Sequence, residues 1–164
     1  MSQRNNLYLG KAGEFEVMSY FLMRGWNVAV PEVDIGDDIF VIEDAKGISL
    51  RIQVKTANAT EYLKNYSAQF KISLSQLQKS IEPEIYYVFV LCRNLQWSDR
   101  IVIPRKDLFY LYHQSKIGTL ADKSLLVYFS FETDKVTQKL KVTCSGIDIT
   151  EYLDNFDDFP VIQH

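Results

Sequence analysis

The stretch 48–55 constrains this chain more than any other. Ile48, Leu50, Ile52 and Val54 alternate with Ser49, Arg51, Gln53 and Lys55 over eight residues. A period of two puts each set on its own face of a β-strand. Just upstream, Ile39-Phe40-Val41-Ile42 has the composition of a buried strand, and Glu43-Asp44-Ala45-Lys46-Gly47 supplies a hairpin connection. Pairing around residues 44–47 lays the start of the first strand against the end of the second. Asp38, directly before the first strand, then approaches Gln53 and Lys55, which share a face.

The rest of the chain builds a sheet around this hairpin. Residues 10–24 predict a helix that stops at Gly25, and residues 26–30 a short strand closed by Pro31. Residues 56–67 are polar and predict a loop. Strands follow at 68–74, 85–92, 101–103, 125–131 and 140–144, with helices at 75–80 and 104–115 and a terminal amphipathic helix at 149–156. The run 85–92 is apolar throughout, as in a strand covered on both faces. This order predicts an α/β fold, a first helix followed by a mixed central sheet flanked by helices, with residues 1–164 forming one domain.

At 47% hydrophobic and 13% aromatic, the chain can bury a substantial core. No apolar run approaches the roughly 18 residues of a membrane span, and residues 1–6 lack the blocks of a signal peptide. The expectation is a soluble cytoplasmic protein without a membrane partner. Cys92 and Cys144 are read as buried, reduced thiols. A net charge of -3 argues against a non-specific nucleic-acid coat protein. It does not argue against a nuclease, whose metal-holding acids lower the net charge. Residues 1–80 carry nine basic and nine acidic groups, whereas residues 81–164 carry nine and twelve. Phosphate contacts are therefore expected in the first half.

Three clusters carry candidate chemistry. Glu14 shares a helical face with Val17, Met18 and Phe21, where a carboxylate needs a cation or donor to meet it; Glu16 points the other way, near Ser19 and Met23. Asp34, Asp37 and Asp38 lie in a turn, and Asp38 abuts the apolar strand. Gln53 and Lys55 form the third cluster. A carboxylate, an amide oxygen and an ammonium at one sheet end suit a hard divalent cation, with Lys55 orienting a water or balancing transition-state charge.

These residues resemble a known family. Gly10-Lys11-Ala12-Gly13-Glu14 ahead of Arg24-Gly25, Asp38 before an apolar strand, and Gln53-Val54-Lys55-Thr56 together resemble the PD-(D/E)XK, or restriction-endonuclease-like, nuclease superfamily. The nearest forms are small Holliday-junction resolvases and single-domain endonucleases with Gln-x-Lys. The resemblance covers about residues 10–56. It implies a Mg²⁺- or Mn²⁺-dependent DNA endonuclease in which Asp38, Gln53 and the Val54 carbonyl hold the metal. It also implies that Lys55 is the active-site lysine and that Glu14 is the helix-borne acid supporting the metal or its water. Gln53 departs from the usual acid and removes one negative charge.

Cutting both strands of a duplex or junction implies a homodimer. Asp34 is the competing motif acid, less favoured because it does not touch the strand. Tyr62 and Tyr66 are further DNA-contact candidates, against the plainer reading of a surface loop. His113 is expected at the surface. The alternatives to an enzyme are a catalytically inert DNA-binding module and an interaction protein that uses the acidic segment 148–158.

Overall fold

The computed structural model describes residues 3–33 and 36–162, with side chains from Asn6 onward. In chain order the elements begin with α1 (Gln3–Met23), β1 (Asn27–Ala29), β2 (Ile39–Glu43), β3 (Ile48–Asn58), β4 (Thr60–Tyr62) and β5 (Asn65–Ser73). Then come α2 (Leu74–Gln78), β6 (Ile85–Arg93), β7 (Gln96–Pro104) and α3 (Arg105–Ser115). The last are β8 (Thr119–Ala121), β9 (Ser124–Thr133), β10 (Leu140–Cys144), β11 (Ile147–Asp148) and a 3₁₀ turn at Thr150–Tyr152. The fold is mixed α/β. Among the described residues, no helix is long and apolar enough to cross a membrane.

The strands form two sheets rather than the one sheet expected. The first has the order β1-β2-β3-β6-β7 and is antiparallel except where β3 and β6 run parallel. The second has the order β11-β10-β9-β5-β4, with β8 also on β9, and is antiparallel throughout. The segment 56–67, expected as loop, instead carries the end of β3, all of β4 and the start of β5. Its polar side chains lie on strand faces that are not fully buried, so composition resembled a loop while the backbone was paired.

Alternation along the strands sorts the core into two layers. Ile52, Val54, Val88, Val90 and Val102 pack with Val17 and Phe21 of α1. Tyr87, Phe89, Leu91, Ile101 and Ile103 point the other way and meet Phe70, Val127, Phe129 and Phe131 of the second sheet. The apolar run in β6 is thus explained by cover on both faces. Helix α1 ends in a Schellman motif: Trp26 N–H donates to the Phe21 carbonyl and Gly25 N–H to that of Leu22. Gly25 supplies the positive φ of 85° that this stop requires.

The terminal helix expected at 149–156 is reduced to the 3₁₀ turn followed by an irregular strap that turns again at 156–159. Phe156 and Phe159 bury completely or nearly so against Phe21, Trp26 and Tyr20. Trp26 Nε1–H and the Arg24 guanidinium donate to the Pro160 and Phe159 carbonyls. A turn closed by the Phe159 N–H donating to the Phe156 carbonyl at 2.8 Å brings the two aromatic anchors together, with ring centroids 6.3 Å apart. Cys92 and Cys144 are buried and free, as expected.

Candidate active site

The β2–β3 hairpin forms in the expected register, with Ile39 opposite Ile52 and Glu43 opposite Ile48. Asp38 N–H extends the ladder by donating to the Ile52 carbonyl at 3.0 Å. That bond turns the Asp38 side chain back along β3. One carboxylate oxygen, Oδ2, accepts from the Gln53 side-chain amide at 2.5 Å and from the Val54 backbone N–H at 2.7 Å. Gln53 is 4% exposed, and its Oε1 is buried without a hydrogen-bond partner. A buried carbonyl oxygen left unpaired costs about 1–3 kcal/mol.

Asp37 has a different task. Its carboxylate is buried and accepts from the Arg51 guanidinium, with Nε at 2.9 Å and Nη2 at 2.5 Å. This pair ties the turn to β3 and aims the neighbouring Asp38 at the strand. The sequence placed Arg51 on the Gln53–Lys55 face but offered no signal that Asp37 would be its partner. Asp34 lies outside the described residues.

Helix α1 sits unusually close to β3. A Cβ placed on Gly13 would come within 2.0 Å of Thr56 Oγ1, so only glycine permits this approach. The contact brings Lys11 and Glu14 beside the hairpin. Lys11 Nζ meets Glu14 Oε2 at 2.6 Å, the i,i+3 spacing of neighbours on one helix face. The bond to Glu14 and its charge raise the Lys11 pKa, and the charge of Asp38 adds to the rise. The lysine therefore stands near both acids. Lys11 is the cation that the sequence argument for Glu14 required, and its position three residues earlier was the available clue.

Glu16 lies beside Ser19 and Met23 as expected, but Arg100 of β7 covers it with an ion pair of 2.6 Å. Burial raises its pKa, and Arg100 only partly offsets that rise. Tyr66, a candidate DNA contact, belongs to the core: it stacks on Phe131 and donates to Asp99. Tyr62 is exposed on β4, and His113 is exposed on α3.

Lys55 is half-buried, on the same face as Gln53, and opens into a cleft of ≈ 600 Å³. The cleft follows from strand topology. Thr60 pairs with Ser67, but before this point β3 continues into the first sheet while β5 departs into the second. The two strands splay into a V whose walls are residues 55–60 and 67–71.

Among the described residues no three His, Cys, Asp or Glu side chains converge as a metal cage. The oxygen donors brought together are the Asp38 carboxylate and the orphaned Gln53 side chain, while Glu14 is held by Lys11 on α1. Such oxygen-only sets suit a hard cation that keeps several waters. Comparison with known proteins adds little to this geometry. No family model matches the chain, and no curated protein does. Among solved structures, that of the bacterial homing endonuclease I-Ssp6803I is similar, with 21% identity, 80% of this chain and 78% of that chain covered, and a TM-score of 0.45.

Proposed function

We propose that this chain is a metal-dependent DNA endonuclease of the PD-(D/E)XK type with Asp38, Gln53, Lys55 and Glu14 at its active site. The observation that carries the reading is the Asp38–Gln53 pair, with the Gln53 oxygen buried and unpaired, two residues along β3 from Lys55, which lines the cleft. Asp38 and Gln53 would hold Mg²⁺ or Mn²⁺ together with the Val54 carbonyl, and Glu14 would support the metal's water shell. When bound, the ion would supply Lewis-acid stabilisation of the phosphate and a more acidic water. Lys55, free to extend into the cleft, would orient the attacking water or balance the charge developing on the phosphate oxygens. Lys11 would hold Glu14 in place until substrate and metal arrive.

A second reading has its own support. Asp38 Oδ2 is already satisfied by two N–H donors, as in a site that has exchanged its metal for an amide. On that reading the protein binds DNA without cutting it. Incubation with supercoiled plasmid and a four-way junction, with Mg²⁺ or Mn²⁺ and with chelator, separates the two. The enzyme reading expects metal-dependent nicking that Asp38→Asn and Lys55→Ala abolish while both variants stay folded. Unaltered nicking by folded Lys55→Ala would refute the assigned mechanism. Binding without nicking by the wild type would establish the inert module.

A further inference from the structure

We infer that the V between β3 and β5 is the track for one strand of duplex DNA, with Lys71 holding a phosphate apart from the one that reaches Lys55. The binding argument stands on the cleft, and only the chemistry at Lys55 rests on the endonuclease reading. The chain carries 21 acidic residues among 164, yet none of the described residues lining this cleft is acidic. Its charged members are Lys55 on one wall and Lys71 on the other. Between and around them stand neutral hydrogen-bonding side chains, including Asn58, Thr60, Gln69 and Tyr128. Two ammonium groups spaced along a groove of neutral donors match a phosphodiester backbone, which needs repeated contacts without competing carboxylates.

Topology explains why these residues face the cleft. Along β5, Tyr66, Ala68, Phe70 and Ile72 are buried in the core between the sheets, so Gln69 and Lys71 must face outward. Beyond Ser67 the described pairing of β5 is to β9 alone, which leaves its other edge open toward β3. The aromatic content favours a duplex over an unpaired strand. Single-strand binders stack bases on exposed rings. The one exposed aromatic lining the cleft is Tyr128, whose hydroxyl is tied to Ser67 Oγ at 2.6 Å.

The test is the salt dependence of binding to a fluorescein-labelled duplex of about 30 base pairs, measured by anisotropy in chelator. Each phosphate contact contributes about 0.9 to the slope of log K against log salt. Lys71→Ala should flatten the slope by about that amount, Lys71→Arg should keep it, and Lys106→Ala, an exposed lysine change on α3, should leave it unchanged. Lys71 is exposed, so these variants should fold. An unchanged slope in Lys71→Ala, or an equal loss in Lys106→Ala, overturns the track. Plasmid nicking is scored in parallel. Metal-dependent nicking with an unchanged Lys71→Ala slope refutes the track and spares the endonuclease. A flattened slope without nicking supports the track and removes the endonuclease.

Discussion

Replacing Gln53 by Glu tests the candidate site at its centre. The Gln53 amide donates to Asp38 Oδ2 at 2.5 Å. A glutamate of the same shape puts two carboxylates at that distance, and they cannot both be ionised. The lost hydrogen bond to a charged acceptor alone is worth about 1.5–3 kcal/mol. The pair must then share a proton, so one pKa in the folded state rises well above the unfolded value near 4.3. The folded state then binds more protons than the unfolded state, and stability falls as pH rises from about 4.3 through the raised value. A rise of two to three units corresponds to about 3–4 kcal/mol lost at neutral pH. A divalent cation between the two groups reverses the sign, because both then prefer to be charged. At a hundredfold excess over its Kd, bound metal restores about 2.7 kcal/mol.

The assay is denaturant unfolding of wild type and Gln53→Glu from pH 5 to 8, in chelator and in Mg²⁺, with calorimetric metal titration. The variant should be less stable than wild type in chelator, increasingly so toward pH 8, and should gain more from Mg²⁺. Equal stability in chelator and equal response to Mg²⁺ would refute the reasoning and place Gln53 outside the metal's reach.

Other expectations follow from neighbouring contacts. Gly13→Ala should cost about 1–2 kcal/mol net, because overpacking against Thr56 exceeds the helix-propensity gain of ~1 kcal/mol. Thr56→Ala in the same chain should recover most of that loss, and additive effects in the double-mutant cycle would refute the contact. Asp37→Ala should destabilise by about 3 kcal/mol, since it leaves the Arg51 guanidinium, mostly buried, without its partner; an unfolding midpoint within error of wild type would refute this. Glu16, whose pKa is raised by burial, should make wild type lose stability relative to Glu16→Gln as pH rises through the window above the ordinary glutamate value. A pH-independent difference between the two would sink that argument.

The sequence alone determined the hairpin and what it brings together. Period-two alternation in 48–55 and the length of the 43–47 connection specify the register, because a one-residue slip would turn every apolar side chain of β3 outward. Asp38 beside Gln53 is a consequence of that local rule. The body and stop of the first helix, which begins seven residues before the expected Gly10, and the doubly covered strand 85–93 were equally legible, since each carries its burial pattern within its own residues. Tertiary structure decided the rest. Whether 56–67 was loop or strand depended on partners distant in sequence, and the splay of β3 from β5 depended on which sheet each joined. The C-terminal strap is irregular rather than helical because Phe156 and Phe159 dock onto a core assembled by other elements. The Lys11–Glu14 pair acquires its place only because Gly13 lets α1 settle onto Thr56. Local periodicity encodes which face of a strand is buried, while the cleft is defined by where two strands part.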